Sequence, residues 1–341
     1  MRRIVVASPG GHAALRLVEG PDPVPGPGQV RVRVRAAGVN YADCMVRMGL
    51  YSAAKGRYPI TPGFEFAGEV DAAGEWGRRF APGTRVLGVT RFGGYAEAVV
   101  VDERQLWPCP DGWDFAECAA FPAAALTAYY GLFRVARIEP GETLLIHSAA
   151  GGAGSAFVQL GRIAGCRTVG VVGSPHKVPF CRALGADAVL LRSAGDWLQA
   201  AREAAPGGYD AIFDSGGVAT LRSGYHLLAP GGRLVAYGFA DMLPRGGGRP
   251  GWLRLAWNWL RVPRFSPLDM TTRNRGVAGF NVVYLFGRTQ LLEDAMSRLL
   301  GWVAEGKLGK PAVRSFPLER AAEAQRALES GDTVGKLVLA T

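Results

Sequence analysis

The residues best spaced to do chemistry are His147-Ser148-Ala149-Ala150-Gly151-Gly152-Ala153-Gly154. They follow an apolar run over residues 143–147 and precede a helical pattern over 155–164. Small residues in a turn between strand and helix let the backbone approach a pyrophosphate closely. The N–H groups and positive dipole at the helix start then hold its charge. The usual G-x-G-x-x-G pattern is modified here, because Ala149 replaces its first glycine. About twenty residues on, NAD-binding versions place an acid to hold the ribose hydroxyls. This chain has Gly173-Ser174-Pro175-His176-Lys177 instead, with a hydroxyl and a cation but no acid. That set suits a 2′-phosphate, so the expected cofactor is NADPH. Its expected contacts here are Gly151, Gly152, Ala153, Gly154, Gly173, Ser174 and Lys177. Arg192, after the third strand of this region, reads either as a second cation beside the adenosine or as a solvated surface arginine.

The elements that must position these residues fall into two rhythms. Residues 1–120 read as strands and turns. Arg31-Val32-Arg33-Val34-Arg35-Ala36 alternates with period two, and residues 65–70 and 85–89 look like further strands. From about residue 125 strands alternate with helices: strands at 143–147, 167–173, 188–191, 209–215 and 232–238, helices at 155–164, 175–184, 196–205 and 220–228. Such alternation implies a parallel sheet covered on both faces, the doubly wound dinucleotide-binding pattern. Residues 276–285 are strand-like, 291–304 and 317–328 helical, and 335–340 a closing strand. The two ends of the chain thus share strand content and flank the α/β block. The expected fold class is α/β, with a doubly wound Rossmann domain inserted in a β-rich domain made from both ends. The expected divisions are 1–124, 125–271 for the cofactor domain, and 272–341.

Several separated motifs carry a family resemblance. Gly38-Val39-Asn40-Tyr41-Ala42-Asp43, Gly49-Leu50-Tyr51, Pro62-Gly63-Phe64-Glu65-Phe66-Ala67-Gly68, Ala124-Ala125-Leu126-Thr127-Ala128-Tyr129 and the glycine turn resemble the medium-chain dehydrogenase/reductase superfamily. Within it the chain is similar to the quinone oxidoreductase branch, and there to the vesicle amine transport protein subgroup. The resemblance implies a GroES-like catalytic domain and a homodimer. Zinc enzymes of this superfamily carry Cys where this chain has Asn40 and His where it has Phe64. Near the third ligand position stand Ala123 and Ala124. None of these is a normal zinc ligand, and Cys44, Cys109, Cys118, Cys166 and Cys181 contain no Cys-x-x-Cys pair, so no metal is expected. Without a Lewis acid, conjugated carbonyls and quinones are the accessible hydride acceptors, because they spread the negative charge onto a distant oxygen. The resemblance further implies that Asn40 and Tyr51 are catalytic and line the pocket, with Thr127 near the nicotinamide. Asp43 reads as orienting neighbouring loops or Asn40. Ser215, Tyr237, Gly238, Phe239, Phe280, Asn281 and Lys336, with Asn40, fall on the cofactor side.

The composition limits the alternatives. The chain has 341 residues, 48% of them hydrophobic, enough for two domains with sizeable cores. No apolar stretch approaches a membrane span, and the N-terminal run is too short for a signal peptide, so the expected location is the cytoplasm. The formal charge of +10 comes mostly from arginine, with only five lysines, and no nucleic-acid recognition motif accompanies it. The run Arg245-Gly246-Gly247-Gly248-Arg249-Pro250 leads into a Trp/Arg-rich insert over residues 252–265, with Trp252, Trp257 and Trp259. The insert fits a lid over an aromatic substrate, a packed or dimer-contact helix, or a membrane-surface helix. Two functions follow. One is an NADPH-dependent, zinc-independent reductase of a small-molecule quinone or α,β-unsaturated carbonyl, an enoyl reductase of secondary metabolism included. The other is an NADPH-binding protein that contacts a membrane or partner and catalyses little.

Overall fold

The computed structural model describes residues 1–242 and 251–341. Its strands in chain order are β1 (Arg2–Val6), β2 (Leu15–Glu19), β3 (Gln29–Val39), β4 (Glu65–Ala73), β5 (Arg85–Val89), β6 (Ala98–Asp102), β7 (Leu106–Pro108), β8 (Thr143–His147), β9 (Arg167–Val172), β10 (Ala188–Leu191), β11 (Tyr209–Asp214), β12 (Leu228–Ala236), β13 (Gly276–Gly279), β14 (Val313–Pro317) and β15 (Lys336–Ala340). The helices that bear on the site are α1 (Tyr41–Met48), α2 (Phe115–Ala119), α3 (Pro122–Tyr129) and α4 (Gly152–Ile163).

The alternation read in residues 31–36 is realised in β3. Val30, Val32 and Val34 are buried, while Arg31 and Arg33 turn outward and share Asp71. Strand β3 is the centre of a seven-stranded sheet ordered β14-β15-β3-β4-β5-β7, with β6 also paired to β3. The last strand of the chain therefore lies directly against an early one. Leu337 pairs with Val39 in antiparallel register. Both ends of the sequence build this sheet, as expected.

The second sheet has six parallel strands ordered β10-β9-β8-β11-β12-β13. Leu144, Leu145 and Ile146 are completely buried, as residues of a strand covered on both faces must be. The order reverses direction at β8, so the chain leaves the sheet there toward one side and returns on the other. That switch point is where open α/β sheets bind ligands.

Two expectations change. The six-stranded sheet extends past the 271/272 division, because Gly276–Gly279 pairs with β12 at its edge. The stretch read as one strand over 276–285 is a short strand followed by a 3-10 turn at Val282–Leu285, which Asn281 caps by accepting from the Val283 amide. Residues 245–250 lie outside the described residues. The insert after them forms a helix, Trp252–Arg261, with large apolar side chains exposed among the described residues. Leu253 is 90% exposed, Trp257 60% and Leu260 70%, and they fall at i, i+4 and i+7 on one face. Among the described residues no helix is long and apolar enough to cross a membrane.

Candidate active site

The glycine turn is shaped by one close approach. Ser148 takes a left-handed backbone conformation, and the chain then folds back so tightly that a Cβ on Gly154 would sit 2.1 Å from the Ser148 carbonyl oxygen. Only glycine fits there. The amides of Gly152, Ala153 and Gly154 open α4, and the first turn of a helix leaves its N–H groups without intrahelical acceptors. A cradle that a single Cβ would fill, lined by unspent backbone donors, fits a pyrophosphate. The missing first glycine is compensated elsewhere. The Ala149 methyl is fully buried, and the space it needs comes from Gly170 on β9, where a Cβ would lie 2.8 Å from it.

The residues at the ends of the neighbouring strands gather around this turn. Ser215 donates from its hydroxyl to Ser148 Oγ at 3.0 Å. Gly238 lies against Ser215, with room for a Cβ only 3.2 Å from its carbonyl oxygen. Tyr237 stacks between Phe157 and Phe280, at 5.0 and 6.3 Å between ring centroids, and burial pushes its phenol pKa up. Phe239 is partly exposed. Just past β9, the Arg192 guanidinium lies 3.7 Å from where a Cβ on Gly173 would stand. Ser174 begins the following 3-10 turn in extended conformation. Lys177 closes that turn. Its side chain is largely buried, its ammonium donates to the Gly331 carbonyl, and burial lowers its pKa.

The opposite wall is built from the seven-stranded sheet. Strand β15 is tied to the turn: the Gly335 amide donates to the Ala150 carbonyl at 2.8 Å, and Gly151 and Gly335 form a parallel bridge. Lys336 follows at once. Its ammonium lies 2.6 Å from Glu65 Oε1 and donates to Asn40 Oδ1 at 2.5 Å. Asn40 in turn donates from Nδ2 to Glu65 Oε1 at 3.0 Å. The other oxygen, Glu65 Oε2, accepts the Ala123 amide at 2.7 Å, near the start of α3. That helix carries Thr127, whose hydroxyl donates to the Ala123 carbonyl one turn earlier.

Asp43 plays the orienting part expected of it. Its carboxylate accepts the Asn40 amide at 2.8 Å and the Gly63 amide at 2.7 Å, fixing both motif loops. Complete burial raises its pKa to about 7, opposed by those hydrogen bonds.

Tyr51 and Asn281 meet across the two lobes, Asn281 Nδ2 donating to the phenol oxygen at 3.1 Å. Burial pushes the phenol to about 12. Phe64 packs edge-on against Tyr51, with centroids 5.5 Å apart. Among the described residues no group of three or more His, Cys, Asp or Glu side chains is arranged to hold a metal ion.

The sequence-predicted residues thus fall into four main clusters: the turn with Ser215 and Gly238, the group Gly173, Ser174, Lys177 and Arg192 past β9, the Asn40–Lys336 network, and the Tyr51–Asn281 contact with Phe280 beside it. Sequence reasoning missed Glu65, which joins the third cluster. Its signal was an acid inside the otherwise apolar run Phe64–Gly68, where an unpaired charge would be costly.

A family model described as a zinc-binding dehydrogenase matches residues 184–339, and one described as an alcohol dehydrogenase GroES-like domain matches residues 26–111. The human synaptic vesicle membrane protein VAT-1 homolog is 35% identical over 342 residues, spanning 99% of this chain and 86% of that protein. The quinone oxidoreductase of Thermus thermophilus, whose structures include a complex with NADPH, is 32% identical with a TM-score of 0.83 and covers 100% of both chains. The quinone oxidoreductase of Pseudomonas syringae pv. tomato is 30% identical with a TM-score of 0.87, over 100% of this chain and 99% of that one.

Proposed function

The chain belongs to the medium-chain dehydrogenase/reductase superfamily of oxidoreductases, and we propose that within it this protein is an NADPH-dependent, zinc-independent reductase of a quinone or an α,β-unsaturated carbonyl compound. The observation that carries this reading is the bond between the two walls. The turn that can cradle a pyrophosphate is hydrogen-bonded directly to the strand that carries Lys336. Cofactor and acceptor would therefore share one site.

NADPH, when bound, supplies the hydride. The amides of Gly152, Ala153 and Gly154 hold its pyrophosphate, and Ser174 and Arg192 hold the 2′-phosphate. Arg192, beside Gly173, is taken as the principal cation, and Lys177, which spends one of its three N–H groups on the Gly331 carbonyl, is a second. Thr127, Tyr237, Gly238 and Phe280 bound the nicotinamide half. Asn40 and Tyr51 face the acceptor, whose conjugation spreads the developing negative charge onto its oxygen. A phenol held near 12 stays protonated at neutral pH, so Tyr51 serves as a hydrogen-bond donor while solvent delivers the proton. Asn40, Phe64, Ala123 and Ala124 at the positions of zinc ligands support a reaction without metal. We place the protein in the cytoplasm, as a homodimer.

The test is NADPH oxidation by the purified chain with a panel of quinones, enones and enoyl thioesters. Turnover with at least one class is expected, and a chain inert with all of them would sink the reading. Arg192→Ala should weaken NADPH binding roughly 10- to 100-fold, the scale of a lost charge-assisted contact, and leave NADH binding nearly unchanged. Equal weakening of both would move the 2′-phosphate site elsewhere.

The exposed face of Trp252–Arg261 supports a second reading, a cofactor-binding protein that docks on a membrane surface or partner and catalyses little. Co-sedimentation with anionic liposomes, lost on changing Trp257 and Trp259 to Ala, is the expected outcome under it. Absence of co-sedimentation would remove the membrane form.

A further inference from the structure

Glu65 has no exposed surface and Lys336 is 6% exposed, yet the two charges face each other in the wall of the site. The Asn40 amide is held at both ends by this pair. Its nitrogen donates to a carboxylate, which can only accept, and its oxygen receives an ammonium, which can only donate. Turning the amide over would set N–H groups against the ammonium and the carbonyl against the carboxylate, so its orientation is fixed. The remaining Nδ2 contact is the Gly38 carbonyl at 3.5 Å, the outer limit of a hydrogen bond. One Asn40 N–H is therefore weakly used, and its direction is set by Glu65 and Lys336.

We propose that Glu65 and Lys336 are positioning residues that hold the Asn40 amide so that this N–H donates to the carbonyl or quinone oxygen of the acceptor as charge develops on it. The inference rests on the reductase reading above. Glu65 extends the same control to α3, because its second oxygen fixes the Ala123 amide. Lys336 ties it to the cofactor turn, since its stem passes 2.9 Å from where a Cβ on Gly152 would stand. Neither charge needs to touch the acceptor. What they supply is the direction of one donor, and preorganised donors are effective because no reorientation is needed during the reaction.

The experiment is a set of variants of the full chain: Glu65→Gln, Lys336→Met, both together, Asn40→Ala, and Asn40→Ala with Glu65→Gln. Thermal midpoint, NADPH affinity by fluorescence, and kcat and KM with a turned-over quinone or enone are measured for each. Glu65→Gln should lower kcat about 100-fold, the scale of losing one preorganised donor, with NADPH affinity held within about threefold. Each single charge removal should also lower the thermal midpoint, because it leaves a buried charge without its partner. The double charge removal should regain the midpoint but not kcat. Adding Glu65→Gln to Asn40→Ala should cost almost nothing further in kcat, because both act through one donor.

A double variant that regains kcat along with its midpoint would show the pair to be structural only and overturn the proposal. So would losses from Asn40→Ala and Glu65→Gln that multiply. Failure of the reductase reading is seen separately and earlier, as a wild-type chain that reduces no acceptor, and the positioning role falls with it.

Discussion

The turn Ser148–Gly154 and the network around Asn40 face the same site but are made from different materials. The turn is backbone, contiguous in sequence, and its chemistry resides in N–H groups that every residue but proline owns. The network is side chain, and its hydrogen bond from Lys336 to Asn40 joins positions 296 residues apart. The two should fail in different ways. A backbone site tolerates changes of side-chain chemistry but no added atom where two strands of main chain touch. A side-chain site tolerates small shifts of main chain but no change in which group donates and which accepts.

The sharpest break of this contrast is Gly154→Val. The new Cβ would lie 2.1 Å from the Ser148 oxygen and 2.8 Å from Ala149 Cα, both main-chain atoms that cannot swing aside. NADPH affinity should fall by roughly 100-fold or more, about 2.7 kcal/mol, while far-ultraviolet circular dichroism keeps its native shape. Fluorescence titration reads the affinity. Native affinity in this variant would mean that the pyrophosphate is held elsewhere.

A milder change asks whether Ala149 and Gly170 form one packing unit. Gly170→Ala should destabilise the fold by about 1–3 kcal/mol through overpacking against the Ala149 methyl. Ala149→Gly in the same chain should recover most of that loss. Chemical denaturation measures both. Losses that simply add would show that the two positions do not share the space, and that the altered glycine pattern needs another explanation.

The same contrast explains what could be read from the sequence. The turn was legible because strand, small residues and helix follow one another within a short stretch, and hydrophobic period marks each element. The closing strand at residues 336–340 was legible too, but not its position against β3, because pairing partners far apart in sequence leave no local mark. The surroundings of Lys177 were hidden for a related reason. A lysine after the second strand looks free in sequence, whereas the chain brings the Gly331 carbonyl to it from 154 positions away. Glu65 was passed over inside a motif defined by its neighbour, although an acid inside an apolar strand demands a cation. The 271/272 division came too early because Gly276–Gly279 is a short edge strand of small residues. Its affiliation with β12 rests on backbone pairing and on one side chain, Val277, packed against the core.

Tyr51 tests where the side-chain wall stops being chemistry and becomes scaffold. Its phenol is joined to Asn281 by contacts of 3.1 and 3.4 Å, long for a strong hydrogen bond, and burial holds its pKa near 12. A raised pKa means that the neutral, donating form persists as pH rises, so no step in kcat should follow Tyr51 ionisation below about pH 10. Tyr51→Phe keeps the ring that packs on Phe64 and removes one modest hydrogen bond. The expected cost in kcat is therefore about 2- to 10-fold, far below that of Glu65→Gln, with the pH–rate profile unchanged in shape. A loss above about 100-fold, or the disappearance of one limb of the profile, would instead make Tyr51 the proton donor. In that event the side-chain wall would carry the protonation step itself, and Asn281, which fixes the phenol from the other lobe, would join Glu65 and Lys336 as a residue that acts through another.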